Sequence, residues 1–166
     1  MEFLSKKINN KDLYEVLKIY NYFIINSFSN FEEKKLSVKS FLVLYKKIKS
    51  NKLPFIVAKE KGKVIGVAFV NKFREKSGYR FTYEHSIYVD PDNINKGFGS
   101  KILKKLLIIC KNNNNIKNLI AVIGGSDNIS SIKIHKKNGF EFIGTLKKVG
   151  FKKNSWINSV YMQKKL

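Results

Sequence analysis

Apolar and polar residues follow one another along this chain in two kinds of segment, one with the pattern of helices and the other with the pattern of strands. Apolar residues recur every three or four positions in three segments, while lysines and other polar residues fill the remaining positions. A fourth, shorter segment ends at Gly139, a residue type that commonly terminates helices. The predicted helices are Asp12 to about Ser27, with Asp12 as N-cap and Glu15 completing a capping box; Ser37–Lys49; a helix opened by the turn Lys96–Ser100 and continuing to Lys111; and Asn128–Asn138.

Segments rich in β-branched and aromatic residues separate these helices and predict strands. The run Leu119–Ile123 is apolar throughout, as expected of a strand that is buried on both faces. Polar segments at Ser27–Glu32, Arg74–Arg80 and Asn112–Asn115 predict loops, and the first of these either covers a site or simply connects two helices. The predicted strands are Phe3–Ile8, Phe55–Glu60, Val64–Phe73, Tyr83–Val89, Leu119–Ile123, Phe140–Phe151 and Trp156–Gln163.

The order of these elements restricts the fold. It reads as a strand, two helices, three antiparallel strands, a helix, a strand, a helix and two strands. A single mixed, mostly antiparallel sheet of about seven strands with about four flanking helices accommodates this order. The predicted fold class is therefore α/β (α+β), with one domain over residues 1–166, a length that suffices for a substantial core.

The strand Tyr83–Val89 leads into a glycine turn that opens a helix. Gly97 and Gly99 let an anion approach the backbone, and the first amides of a helix have no internal partners and lie at the positive end of its dipole. Ile102 occupies the third glycine position of the dinucleotide-binding fingerprint, and no Lys-Ser/Thr pair follows in P-loop register. The turn predicts a site for a phosphate ligand other than NAD or ATP, unless it is an ordinary strand-to-helix turn.

Composition adds further limits. The net charge of +21 suggests nucleic-acid binding, but the lysines are spread over the whole chain, which favours compositional drift. A hydrophobic content of 43% argues against disorder, and no apolar run approaches the roughly 18 residues that a membrane span needs. The first residues lack the apolar core of a signal peptide, so a cytoplasmic location is expected. The single cysteine, Cys110, lies on an apolar helix face and is expected to be structural, which excludes disulfides and cysteine-based metal sites.

The element order, the glycine turn and the position of Asn128 seven residues before His135 resemble the GNAT superfamily of N-acetyltransferases. Within it, the chain is similar to the phosphinothricin and methionine sulfoximine (L-amino acid) N-acetyltransferases. It departs from their pattern at Ile94, where the family has Gln or Arg three residues before the first glycine. The matching segments are Ile19–Asn21, Phe31–Glu32, Tyr83–Val89, Ala121–Asn128, His135–Phe140 and Val149–Lys152, followed by Trp156 and Gln163.

The resemblance implies acetyl-CoA as the cofactor, no metal and a homodimer. The backbone around Ile87–Val89 would hold the pantetheine arm and the thioester oxygen, the glycine turn the pyrophosphate, and Asn128 the thiol end. Lys96 would compensate for Ile94 in the pyrophosphate site. The implied cofactor-binding residues are Ser86, Ile87, Tyr88, Val89, Ile94, Asn95, Lys96, Gly97, Phe98, Gly99, Ser100 and Asn128.

The resemblance also assigns the chemistry. Glu84 would take a proton from the amine, and His135 would protonate the thiolate or act as a base. Strand alternation places His85 on the face opposite Glu84, so a structural role is expected for it. The implied substrate-binding residues are Glu84; Arg74 and Lys76, as a clamp for an anionic group or else an exposed turn; and Phe31 and Tyr83, as pocket walls or else core.

The predicted activity is direct acetyl transfer to the α-amine of a small amino acid or analogue, since the chain offers no activated nucleophile for a covalent route. One alternative is acetylation of protein N-termini or polyamines, which an acidic pocket would favour. A second alternative is a basic nucleic-acid-binding protein that keeps the fold without the activity.

Overall fold

A computed structural model describes residues 1–6 and 8–166 of the chain. Within them the order of elements is the predicted one, and the predicted fold class is confirmed. None of the described helices is both long enough and apolar enough to cross a bilayer. The elements are β1 (Glu2–Leu4), α1 (Asn10–Asn26), α2 (Val38–Ser50), β2 (Phe55–Glu60), β3 (Lys63–Lys72), β4 (Thr82–Val89), α3 (Phe98–Lys111), β5 (Asn118–Gly124), α4 (Ile129–Lys137), β6 (Glu141–Lys152) and β7 (Ser155–Lys165).

One sheet of seven strands, in the order β1-β2-β3-β4-β5-β7-β6, forms the centre of the molecule. Helices cover both faces of the sheet, as the contacts of two residues of β3 show. Phe69 packs against Tyr20 of α1, with ring centroids 6.2 Å apart. Gly66, three residues earlier and so on the opposite face, leaves room for Ile102 of α3, which a side chain there would meet. This double cover explains why β3 is almost entirely buried.

The pairing of β4 with β5 is parallel and short, and it creates the central opening of the fold. The two strands pair only over Thr82–Glu84 and Asn118–Ile120. Beyond that point β4 continues to pair with β3 as far as Val89, while β5 follows β7 as far as Gly124. The strands therefore diverge in the middle of the sheet, and the edge of β4 after Glu84 has no partner strand on its β5 side.

The predicted start of α1 was wrong. Its N-cap is Asn9, whose Oδ1 accepts a hydrogen bond from the Asp12 backbone N–H at 2.8 Å. Asp12 instead lies in the first helical turn, buried, and accepts a hydrogen bond from Lys59 Nζ of β2 at 2.8 Å. A capping pattern at Asp12 is locally convincing, but the cap three residues earlier leaves its carboxylate free for this tertiary ion pair.

The first strand is also shorter than the predicted Phe3–Ile8. It ends at Leu4, the last residue that pairs with β2. Ile8 is not part of a strand, because the chain is already turning toward the cap of α1 at Asn9. Residue 7, which the prediction also included, lies outside the described residues.

Candidate active site

A cavity of about 770 Å³ occupies the opening between β4 and β5. The second half of β4 forms one side of it and the end of β5 another. Its remaining walls come from α1 and α2, the loop between them, the end of β3, the start of α3 with the turn before it, and α4. The divergence of two central strands thus produces a large pocket in the middle of the sheet.

The predicted cofactor residues on β4 line this cavity: Ser86, Ile87, Tyr88 and Val89. Because no strand pairs with β4 on this side, its backbone groups are available to a ligand that enters the cavity. The buried Tyr88 accepts a hydrogen bond from Asn30 Nδ2 through its hydroxyl, at 3.1 Å. Burial raises the pKa of the Tyr88 phenol far above its ordinary value. Tyr88 is therefore a neutral group that connects β4 to the loop after α1.

The glycine turn opens α3 as predicted. Gly97 is the N-cap and has a φ of 77°, in the left-handed region that favours glycine. Ile94 and the buried Gly99 line the cavity, whereas Asn95, Lys96, Phe98 and Ser100 lie in the same turn without lining it. Lys96 Nζ donates to the Asp92 carbonyl at 2.7 Å and to Asn93 Oδ1 at 3.3 Å. Two of the three N–H groups of the Lys96 ammonium are thus bonded within its own turn, and the first amides of α3 have no partner within the helix.

Asn128 lies across the cavity from β4, at the N-cap of α4. Its Oδ1 accepts from the Ser131 backbone N–H at 3.3 Å, and its Nδ2 donates to Ser29 Oγ at 3.3 Å. The side chain therefore connects the start of α4 with the loop after α1, at the position where the cofactor's thiol end is predicted.

Glu84 is half-buried in the cavity wall, at the point where β4 and β5 separate. Burial raises the pKa of its carboxyl above the ordinary value, and the charge of Arg74 lowers it by a smaller amount. A carboxyl shifted toward neutrality beside a pocket can accept a proton from a bound ammonium group.

His85 and His135 form a buried pair beside Glu84. Their Nε2 atoms are 3.2 Å apart, and both residues line the cavity. His135 Nδ1 lies 2.7 Å from the Ser131 carbonyl, which can only accept, so Nδ1 carries the proton. In neutral His135 the bare Nε2 then accepts from His85 Nε2–H. Burial lowers the pKa of both imidazoles, which keeps the pair neutral near pH 7.

His85 lies on the face of β4 opposite Glu84, as strand alternation indicates, because β4 pairs regularly with β3 at these residues. It reaches the same cavity as Glu84, because the cavity begins where β4 loses its neighbour and is open to residues of both faces. Its Nδ1 is buried without a hydrogen-bond partner among the described residues.

The predicted substrate-binding residues separate into two groups. Phe31 lines the cavity together with Glu84. Tyr83 belongs to the hydrophobic core, where 9% of its surface is exposed. Arg74 and Lys76 lie on the exposed turn between β3 and β4 and do not line the cavity. Arg74 stacks over Phe73 at 4.9 Å and acts on the site through its charge, as the pKa of Glu84 shows.

Several lining residues were not identified from sequence, because neither the spacing of helix faces nor that of a buried strand distinguishes a cavity wall from ordinary packing. The charged side chains of the lining are Glu32 and Glu84, and the described lining contains no Lys or Arg. No cluster of three or more metal-binding side chains is found in the described part of the chain. The unforeseen lining residues of α1, α2 and β3 are Tyr20, Phe23, Ser40, Val43, Leu44, Phe69 and Asn71.

Comparison with known proteins matches residues 6–161 to the Acetyltransferase (GNAT) domain family. The chain is 35% identical to phosphinothricin N-acetyltransferase of Alcaligenes faecalis, over 96% of this chain and 80% of that protein. It is 28% identical to the L-methionine sulfoximine/L-methionine sulfone acetyltransferase of Salmonella typhimurium, over 93% and 90%.

Solved structures extend the comparison to the fold. A phosphinothricin acetyltransferase of the GNAT superfamily from Sinorhizobium meliloti, in complex with acetyl-CoA, has a TM-score of 0.91 and 34% identity, covering 100% of this chain and 89% of that chain. A ribosomal-protein-alanine N-acetyltransferase from Brucella melitensis has a TM-score of 0.93 and 31% identity, covering 98% and 99%.

Proposed function

The chain belongs to the Acetyltransferase (GNAT) domain family, and from this premise we propose that it transfers the acetyl group of acetyl-CoA directly to the α-amine of a small amino acid or analogue. The observation that carries the proposal is the opening between β4 and β5, which combines free backbone groups with a half-buried carboxylate. An acceptor of the phosphinothricin, methionine sulfoximine or methionine sulfone type is the one that the names of the relatives support.

Acetyl-CoA supplies the acetyl group as a thioester, and the residues around the cavity suit its parts. The unpaired backbone of Ile87–Val89 would hold the pantetheine arm. The free amides that follow Gly97 would hold the pyrophosphate, and Lys96 of the same turn would add positive charge in place of the residue replaced by Ile94. Asn128 would meet the thiol end from the opposite wall.

We assign Glu84 as the acceptor of the amine proton, directly or through one water. Its raised pKa makes it a stronger base than an exposed carboxylate, and its position beside the strand opening puts it next to the predicted thioester site. Glu84→Gln should lower kcat by about 10²- to 10⁴-fold and leave acetyl-CoA affinity within a few-fold. A near wild-type kcat would mean that the amine loses its proton without Glu84.

His135 is the second proton-handling group in this proposal: it would pass the proton that the amine loses to the coenzyme A thiolate that leaves. Neutral His135 has its Nε2 free to take up a proton only when the contact with His85 opens. His135→Asn keeps an amide donor for the Ser131 carbonyl and removes Nε2. We expect it to slow single-turnover transfer by about 10²-fold with acetyl-CoA binding retained; an unchanged rate would assign His135 to packing.

The activity is tested by a thiol-release assay with acetyl-CoA and a panel of amines. The panel contains phosphinothricin, L-methionine sulfone, L-methionine sulfoximine, spermidine and a peptide with an N-terminal alanine. The proposal requires one of the first three to have the highest kcat/KM. Glu84→Gln serves as the matched control, because it keeps the pocket shape and removes the base.

Acetylation of protein N-termini is the second candidate, and two observations favour it. The charged side chains of the cavity lining are carboxylates, which suit a cationic acceptor. The Brucella melitensis structure with a TM-score of 0.93 is named for this activity. Preference for the alanine peptide in the same panel would select this candidate.

We also propose that the protein is a homodimer. The edge strand β6 and the start of β7 expose an apolar surface that is unusual for a free edge. A second copy would cover it and remove the open edge. The exposed apolar residues are Phe142, Ile143, Leu146, Val149, Phe151 and Trp156.

A further inference from the structure

Lys152, the last residue of β6, is buried, with 2% of its surface exposed. Buried lysines are rare unless the ammonium finds partners. Lys152 Nζ donates hydrogen bonds to the backbone carbonyls of Ser27, at 3.0 Å, and of Asn30. No carboxylate lies within ion-pair distance of it in the described part of the chain. Two carbonyls of one loop therefore compensate the burial of this charge.

That loop, Ser27–Glu32, forms one wall of the cavity and is held at several points. Asn30 Nδ2 donates to the Tyr88 hydroxyl, and Asn128 Nδ2 donates to Ser29 Oγ. Gly150, two residues before Lys152, lies so close to the Phe31 ring that a side chain there would collide with it. The loop thus joins the cofactor side of the cavity to the β6–β7 hairpin, and Lys152 is the charged member of this contact.

The bond to Asn30 also affects what the loop presents to the cavity. No described peptide bond is cis, so the N–H of Phe31 points opposite to the Asn30 carbonyl, away from Lys152. This N–H has no hydrogen-bond partner among the described residues. An ammonium bonded to a carbonyl polarises the amide and strengthens its N–H as a donor. Asn30 and Phe31 both line the cavity, whose charged side chains are carboxylates.

We propose that Lys152 is a positioning residue for the acceptor: it fixes the Ser27–Glu32 loop and turns the Phe31 N–H into a donor for the acceptor's carboxylate. The inference rests on the proposed function in that it assumes an amino-acid acceptor. It supplies an anion-binding group inside the cavity, where Arg74 and Lys76 do not reach the lining.

The test compares L-methionine sulfone with its α-carboxamide, which lacks the negative charge, as acceptors for wild type and Lys152→Met. Methionine keeps an unbranched apolar stem, one atom shorter than lysine, and removes the donors. The variant should lose at least about tenfold more kcat/KM on the acid than on the amide, with acetyl-CoA affinity within about threefold of wild type. Lys147→Met, at an exposed lysine of the same strand, is the matched control. It should change kcat/KM neither on the acid nor on the amide. Equal losses on acid and amide would overturn the carboxylate role.

Amide hydrogen exchange decides the loop contact independently of activity. Lys152→Met should raise the exchange rate of the hydrogen-bonded amides of this loop, those of Ser29 and Glu32, at least about tenfold, while Lys147→Met leaves them as in wild type. Unchanged exchange in Lys152→Met would overturn the positioning role even if the enzyme acetylates amino acids. Faster exchange in a protein that acetylates none of them would keep the contact and reject the proposed acceptor instead.

Discussion

At the scale of single residues, two opposing effects set the charge of Glu84. Burial raises the pKa of its carboxyl, and Arg74 on the neighbouring turn lowers it by a smaller amount. A base must be ionised to accept a proton, so the acidic limb of kcat/KM against pH should follow this pKa. Removing the charge of Arg74 removes the lowering contribution, and the pKa of Glu84 then rises.

Arg74→Gln should accordingly move the acidic limb of the kcat/KM profile to higher pH. Arg80→Gln, at an exposed arginine of the same turn, is the control and should leave the limb in place, because Arg80 does not contribute to the Glu84 shift. If the acidic limb of the kcat/KM profile is unchanged in Arg74→Gln, or moves to lower pH, Glu84 is not the titrating base.

The two histidines allow a second prediction at this scale, because they are the only histidines of the chain. In protein labelled with ¹⁵N-histidine, NMR at neutral pH should show His135 protonated at Nδ1 and His85 protonated at Nε2. The reason is that the Ser131 carbonyl can only accept, which leaves His135 Nε2 as the acceptor for His85. The His135→Asn variant assigns the signals. The opposite tautomer in either ring would contradict the hydrogen bond from His85 Nε2 to His135 Nε2.

At the scale of elements, the N-terminus of α3 is where local geometry and predicted binding coincide. Gly99 is buried against Ile134 of α4 and Val89 of β4, and it lies beside the free amides of the helix start. A carboxylate at this point would oppose the cofactor's pyrophosphate and compete for the amides.

Gly99→Asp should therefore weaken acetyl-CoA binding at least about tenfold in calorimetry, or about 1.4 kcal/mol. Gly78→Asp is the matched control, since a side chain at Gly78 meets no atom within 4 Å and lies on the turn before β4. Unchanged acetyl-CoA affinity in Gly99→Asp would mean that this turn does not bind the pyrophosphate. Thermal unfolding of both variants separates lost binding from lost folding.

At the scale of the whole molecule, the exposed apolar surface of β6 and β7 is the feature that a monomer does not explain. Phe142 exposes 61% of its surface on the free edge strand. Sedimentation of the wild type at micromolar concentration should give twice the chain mass of 19.2 kDa. Phe142→Glu should shift the protein toward the monomer, because a charge in an apolar interface is left without a partner.

Ile108→Glu is the control for this experiment, since Ile108 is an apolar residue of α3 that exposes 49% of its surface. It should leave the mass unchanged. A wild-type protein that sediments only as a 19.2 kDa species would reject the dimer.

Much of the fold could be predicted from the chain because its signals are local. The apolar face of α1, including Val16 and Ile24, is buried as its spacing indicated. The glycine turn opens α3, and Gly139 follows the end of α4. The errors occurred where a tertiary contact outweighed a local preference. Asp12 has the pattern of a cap, but the ion pair with Lys59 uses its carboxylate inside the helix.

The site is likewise divided into residues that the sequence could identify and residues that only tertiary contacts identify. Glu84, His135, Asn128 and the residues of β4 were named from the resemblance, and they line one cavity. The contacts of His85 and Lys152 could not be recognised in this way, although both residues lie in segments that match the family. A histidine on a strand and a lysine near a turn carry no signal until their partners, 50 and 122 to 125 residues away, are known.

The sequence alone therefore determined the order of elements, the single sheet and the family, because periodicity, turn residues and motifs act over a few positions. The tertiary structure decided where β4 and β5 part, which is a matter of pairing between distant segments. It also decided the charges of the buried groups, since burial and partners set the pKa values of Glu84 and His135. Neither property belongs to a segment of the chain by itself, because strand pairing and the exclusion of water from a side chain both depend on residues that are distant in sequence.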